Sequence, residues 1–256
     1  EALPVPIGGS QSQADALVWL PAQYDDPSYA SKRFPVLMFL PGQPSTPQAL
    51  FTKFNFGEVA SKAIASGKVP PFVAVIPPIM IDPPRDTECT DVPNGPQAQT
   101  FLSDEVPKAV VAKYRVQPTG PGWSVAGWST GAFCAAKIGL THPTSFASAI
   151  SIGGYFRAVQ DRTTGDLFGG DRAVKQRNSP LWLYKQSGLR GLRMLLISGK
   201  QDRGSWPSTS KMLAATKGDK GVSYVDFPEG GHNFHNYQAY LEPALVWAKL
   251  PAPKAP

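Results

Sequence analysis

The sequence predicts an α/β fold: a mostly parallel sheet with helices on both faces. Three observations carry this reading. Short apolar runs alternate with longer amphipathic stretches, which is the pattern of strands joined by helical crossovers. At 256 residues, 42% hydrophobic and 17% charged, the chain is long enough to bury one large core. It has no internal repeat, so a single domain over 1–256 is expected.

The strand candidates, in order, are ADALVWL (14–20), PVLMFL (35–40), FVAVIP (72–77), GWSVAG (122–127), SAISI (148–152), RMLLIS (193–198) and VSYVDF (222–227). The first two are separated by a polar, turn-rich segment (21–34) too short for a helical crossover, so an antiparallel opening pair is expected. Helices are expected over 46–66, 97–114, 130–142, 207–217 and 236–248, with Pro107 kinking the second or restarting it after FLSDEV. Residues 155–192 interrupt the alternation with glycine, charge and a few large apolar side chains, as a lid-like insertion does. The 27 prolines fall at strand ends and in loops, which suggests rigid connections. The terminal PAPKAP reads as a tail or as the start of a following segment.

The net charge of +6 is concentrated. Residues 157–203 hold ten Lys/Arg against four Asp, which accounts for the whole excess. No nucleic-acid motif or stacked-aromatic platform accompanies them, so an anionic membrane surface or anionic substrate fits better than nucleic acid, beside the ordinary reading of a solvated charged face. No run approaches the roughly 20 apolar residues of a membrane-spanning helix. Cys89 and Cys134 have neither CxxC spacing nor histidine partners, which argues against zinc. One disulfide in an oxidising compartment is the reading, with two buried thiols as the alternative. Extracytoplasmic localisation is therefore expected, with a signal or anchor absent from this stretch.

Chemistry concentrates at GWSVAGWSTGAFCAA. A G-x-S-x-G match is weak by itself. Here a strand precedes it and a small-residue helix follows, which is the setting that presents a serine hydroxyl above a sheet edge and aims helix N–H groups at a reacting carbonyl. Ser129 is the candidate nucleophile. Of three histidines, His142 lies at a helix end before proline. His232, in the glycine-flanked loop FPEGGHNF after the last strand, is the candidate base, with His235 the competitor. The acid should follow a strand between serine and histidine, and Asp202 in LLISGKQD does so; Asp226 and Glu229 are the alternatives. The oxyanion donors are expected at the N–H of Thr130 and, from FLPGQPS, of Gln43.

With these residues in hand, the chain resembles the esterase D branch of the α/β-hydrolases, which includes the actinobacterial mycolyltransferases. The resemblance rests on residues 100–156, with FLSDEVP, the serine elbow and THPTSF, and on SGKQD and GGHNF. It implies the same triad, an oxyanion loop, and no metal or organic cofactor. Cleavage of a small-molecule or lipid carboxylic ester is the leading function. Acyl transfer to a sugar or lipid hydroxyl uses the same chemistry, and a non-catalytic binding protein on this fold is the reading of another class. Substrate-contact candidates are Trp128, Tyr155, Phe156 and, from the acid-rich loop MIDPPRDTECTDVPNG, Asp86 and Glu88. The same loop offers Asp82 and Asp91, and Cys89 would tie it to the helix that carries Cys134.

Overall fold

The structure is a computed structural model that describes residues 1–8, 12–227 and 229–255. Its strands are β1 (Ala2–Pro6), β2 (Gln13–Trp19), β3 (Val36–Leu40), β4 (Val73–Ile76), β5 (Gly120–Trp128), β6 (Phe146–Ile152), β7 (Arg193–Ser198) and β8 (Val222–Asp226). The helices are α1 (Ala49–Thr52), α2 (Phe56–Ala65), α3 (Ala98–Thr100), α4 (Val106–Lys113), α5 (Thr130–Thr141), α6 (Arg172–Arg177), α7 (Pro180–Ser187), α8 (Trp206–Ala215), α9 (Phe234–Gln238) and α10 (Leu241–Ala248). The strands form one eight-stranded sheet in the order β1-β2-β4-β3-β5-β6-β7-β8. From β4 to β8 every neighbouring pair is parallel.

Successive side chains of a strand point to opposite faces, so a strand apolar at every position needs cover on both sides. Val36, Met38 and Leu40 of β3 join one core layer with Val73, Val75, Trp123 and Phe133. Leu37 and Phe39 join the other with Phe54, Phe56, Leu241 and Leu245. Helices α4 and α5 cover the first face; α2 and α10 cover the second.

The opening pair differs from expectation. Strand β2 does not pair with β3; it lies between β1 and β4, antiparallel to both. The missed strand β1, ALPVP, takes its outer edge, and β4 separates it from β3. Pro4 and Pro6 carry no N–H, so this strand belongs at a sheet edge, where the missing donors cost nothing. The expected 46–66 helix is divided at Asn55, which adopts a left-handed φ of 51°. A π-helical turn, Phe101–Glu105, precedes α4, and Pro107 sits in the first turn of α4, where its missing donor is tolerated. Residues 251–255 are anchored, since Arg33 and Lys254 exchange backbone hydrogen bonds. Pro256 of the tail lies outside the described residues.

Helix α5 is buried along nearly its whole length and approaches the sheet closely. A Cβ on Gly131 would lie 2.1 Å from the Leu40 carbonyl oxygen, and one on Gly127 would lie 2.3 Å from the backbone of Gly131. Both contacts are with backbone, which cannot swing aside. Gly131→Ala is predicted to cost about 3 kcal/mol or more, at the upper end of overpacking penalties, in a urea-unfolding comparison with the parent. A variant of unchanged midpoint would contradict this packing.

Candidate active site

The sequence around residue 129 folds into a sharp turn because β5 ends at Trp128 and α5 begins at Thr130, leaving one residue for the reversal. Ser129 occupies it with φ 54° and ψ −122°, a conformation costly for a non-glycine residue and held only where the surroundings impose it. Its N–H donates to the Ile152 carbonyl at 3.0 Å. Its Oγ lies 2.8 Å from His232 Nε2. On the other side of the imidazole, Nδ1 is 3.0 Å from Asp202 Oδ1 and 3.2 Å from Oδ2. The three residues expected from chain order are thus brought together in one hydrogen-bonded line.

Asp202 is fully buried. Burial works to raise its pKa, but hydrogen bonds led by that from His232, with Ser205 and Tyr237 contributing, outweigh it and hold the carboxyl below its ordinary value. Two of its partners are the Gly204 and Ser205 N–H groups, at 3.0 and 3.1 Å. A further partner was not legible in the sequence: Tyr237, on α9, donates its hydroxyl to Asp202 Oδ2 at 2.9 Å and touches His232 Nδ1. The only available signal was indirect. A Cβ at Gly153, where φ is +61°, would lie 2.3 Å from the Tyr237 hydroxyl, so the first glycine of SIGGYF makes room for that ring.

The other candidates separate cleanly. His142 follows the end of α5 and shares a hydrogen bond with Thr141. His235 is exposed on α9, and Asp226 Oδ1 accepts from Tyr224. Glu229 is exposed in the histidine loop.

Two clefts adjoin the Ser129 turn. One, of about 280 Å³, is lined by Pro44, Trp128, Phe234 and Tyr237 together with Ser129 and His232, and is largely apolar. The other, of about 500 Å³, runs past Thr130 and is lined by Asp86, Glu88, Tyr155, Arg157, Asp161, Arg203 and Lys211 among others. Gln43 borders both. Trp128, Tyr155, Asp86 and Glu88 therefore stand where a substrate could touch them. Phe156 does not: it is packed into the core beneath α5 and is 1% exposed, so the expectation that it contacts substrate is corrected. Its apolar ring fills the layer, and its N–H donates to Ser208 Oγ at 2.8 Å.

The acid-rich loop is held in place from one face of α5. Thr130, Phe133, Cys134 and Lys137 recur at the three- and four-residue spacing that aligns side chains on a helix. Cys134 is disulfide-bonded to Cys89. Phe133 stacks on Tyr155 at 4.9 Å, and the Tyr155 hydroxyl donates to Glu88 Oε1 and lies 3.3 Å from Thr130 Oγ1. Lys137 is buried and donates to the Glu88 carbonyl at 3.0 Å, to Thr90 Oγ1 at 3.1 Å and to Asn178 Oδ1 at 3.1 Å. These three acceptors match the three donors of an ammonium group. From the lid side, Arg85 donates to the Thr164 carbonyl at 2.8 Å and to that of Asp166 at 2.6 Å. Asp91 accepts from the N–H and hydroxyl of Thr100, and Asp82 is exposed, so neither lines the cleft.

Burial pushes the Glu88 carboxyl up to about 8, against the opposing hydrogen bond from Tyr155. Burial also raises Asp86, and it lowers Lys137 to about 7. Among the described residues no group of His, Cys, Asp or Glu could hold a metal ion.

Comparison with known proteins agrees with this architecture. Residues 10–248 match the model of the family described as "Putative esterase", and the chain belongs to that family. An uncharacterized protein of Corynebacterium glutamicum is 27% identical over 263 residues, covering 95% of this chain and 60% of that protein. The chain thus spans about three fifths of that curated relative. Among solved structures, a ferulic acid esterase superposes with a TM-score of 0.81 at 19% identity, covering 97% of each chain. A fluorophosphonate-binding serine hydrolase of Staphylococcus aureus gives 0.80 at 17% identity, also covering 97% of each. An S-formylglutathione hydrolase of Agrobacterium tumefaciens gives 0.78 at 19% identity, covering 98% of this chain and 96% of that one. The fold is therefore that of the α/β-hydrolases, and the family is the one described as "Putative esterase".

The raised Glu88 pKa has a consequence for stability. Between about pH 4.5 and 8 the unfolded carboxyl is ionised while the folded one keeps its proton, so folding takes up a proton and stability falls as pH rises through that window. Glu88→Gln removes this linkage. The parent is expected to lose stability relative to Glu88→Gln from pH 5 to 8 in urea titrations; parallel curves would contradict the buried, protonated acid.

Proposed function

We propose that this chain is a serine carboxylesterase in which Ser129, His232 and Asp202 form the catalytic triad. The observation that carries the proposal is the continuous hydrogen-bonded line from Ser129 Oγ, on a strained turn at the start of α5, through His232 to the buried Asp202. In the first half-reaction Ser129 Oγ attacks the ester carbonyl while His232 Nε2 takes its proton. The C–O bond to the alcohol then breaks, and the imidazolium returns the proton to the leaving oxygen. Water, deprotonated by the same nitrogen, then attacks the acyl carbon; the bond to Ser129 Oγ breaks, the imidazolium returns the proton to that oxygen, and the acid leaves.

Asp202 fixes the tautomer with Nδ1–H toward the carboxylate and steadies the imidazolium that forms. Tyr237, Gly204 and Ser205 keep it ionised and oriented. The N–H groups of a helix's first turn have no partners within the helix, so that of Thr130 is available to a developing oxyanion, with the Gln43 N–H supplying the second donor. The acyl group suits the apolar cleft beside Trp128 and Phe234, and the alcohol part suits the polar one.

Acyl transfer is the second reading, favoured by one feature. The polar cleft beside Thr130 is large enough to hold a second alcohol where water would otherwise attack. The Cys89–Cys134 disulfide supports an oxidising, extracytoplasmic compartment. Among the described residues no helix is long and apolar enough to cross a membrane. Within 157–203, Arg193 is used structurally, bonding the carbonyls of Trp247 and Ala248 at the end of α10. Arg157, Arg172 and Lys175 line a shallow depression on the lid, the place where contact with an anionic surface would fall.

A fluorophosphonate probe is expected to give one adduct, at Ser129, lost in Ser129→Ala; a folded protein without an adduct would move the assignment to a binding protein. Peptide mapping of the same sample without reductant should recover Cys89 and Cys134 joined. Alkylation of both would contradict the extracytoplasmic assignment.

A further inference from the structure

Among the described residues, the Glu88 carboxyl is set apart from the other acids by a buried oxygen with no hydrogen-bond partner. It is 3% exposed, yet it lines the polar cleft that runs past Thr130, the residue after Ser129. Oε1 accepts from Tyr155, while Oε2 has no hydrogen-bond partner among the described residues. The nearby cation does not supply one, since all three donors of Lys137 go to the Glu88 carbonyl, Thr90 and Asn178. Arg157, Arg203 and Lys211 line the same cleft, and none forms an ion pair among the described residues. Buried polar atoms in folded proteins are nearly always paired, so an unpaired carboxyl oxygen on a residue that lines a substrate cleft asks for a ligand.

The geometry points to Glu88 as a specificity-determining residue: Oε2 forms a hydrogen bond with a hydroxyl on the alcohol part of the substrate, so the cleft selects esters of polyhydroxylated alcohols over esters of simple alkanols. This rests on the esterase reading above and names the substrate class for that same site.

The chemistry favours a hydroxyl over a cation for two reasons. Burial keeps the carboxyl protonated near neutral pH, and with Oε1 already accepting from Tyr155, the Oε2–H is a donor in need of an acceptor oxygen. A cationic ligand would also have to pass Arg157, Arg203 and Lys211, which line the same cleft. A hydroxyl accepts from Glu88 and has a proton left to donate to Asp86, which is likewise buried against the cleft. An alkyl group in the same place leaves Glu88 Oε2 unpaired, and a site built to bond a hydroxyl discriminates strongly against an analogue without one. The tie from Tyr155 to Thr130 fixes Glu88 relative to the turn that carries Ser129, so the bonded hydroxyl also sets where the ester carbonyl lies.

The test compares kcat/KM for glyceryl monobutyrate and n-propyl butyrate, which share the acyl group and the three-carbon alcohol and differ in hydroxyls. It uses the parent chain, Glu88→Leu, Glu88→Gln and Tyr155→Phe, with p-nitrophenyl butyrate as the activated control. The parent is expected to prefer the glyceryl ester by about tenfold or more. Glu88→Leu should bring the ratio to near one, and Glu88→Gln should keep part of it through the amide donor. Should Glu88→Leu fail to fold, Tyr155→Phe, which frees the carboxyl from its anchor, must still lower the ratio. A parent ratio near one, or a ratio unmoved by Glu88→Leu or by Tyr155→Phe when Leu is not folded, overturns the assignment of Glu88 alone if p-nitrophenyl butyrate is cleaved. Cleavage of none of the three esters by the parent overturns the esterase reading and this assignment together.

Discussion

The close approach of α5 to the sheet is the constraint on which the rest of the site depends. With hydrogens at 127 and 131 in place of side chains, the helix can begin one residue after β5 ends. That single intervening residue has to reverse the chain, and the reversal puts Ser129 in a backbone conformation that a β-carbon resists. The strain is sustained by the surrounding core, since β5 is central in the sheet and α5 is buried along nearly its whole length. A looser helix would relax the turn, and the hydroxyl would no longer meet His232.

The same helix organises the substrate side. Its N-terminus offers backbone donors at the reacting centre, and one face, through Thr130, Phe133, Cys134 and Lys137, pins the acid-rich loop and the lid over the polar cleft. This couples parts of the chain that are distant in sequence: the disulfide closes 45 residues, and Lys137 reaches Asn178 in the lid. Burying a lysine is costly unless its three donors are met. Here they are met by one acceptor from the lid and two from the loop, so the cation acts as a junction between them.

Legibility in the sequence followed the physics of each element. Strands apolar at every position were visible because a twice-covered strand has no polar face to disguise it. Ser129, Asp202 and His232 were legible because each lies in a loop beyond the end of a parallel strand, where this topology gathers its functional residues. Strand β1 was hidden by Pro4 and Pro6, which read as loop residues until the edge position is known. The pairing of β2 was misjudged because sequence neighbours were taken as sheet neighbours, whereas β4 enters between β2 and β3. Tyr237 and Lys137 were invisible for a common reason: an aromatic or a lysine at helical spacing has a common bland reading, and only the fold shows a hydroxyl on Asp202 or an ammonium with three buried acceptors. Phe156 was expected to touch substrate beside Tyr155, but its ring is buried in the core whereas Tyr155 lines the cleft.

The central claim is that Ser129 forms a covalent acyl intermediate at this turn. Pre-steady-state mixing with p-nitrophenyl butyrate, followed by acid quench and peptide mass analysis, tests it most directly. The account predicts a butyryl mass on the peptide that contains Ser129, formed no later than the first equivalent of p-nitrophenol. Release of p-nitrophenol with the acyl mass on another residue would contradict it.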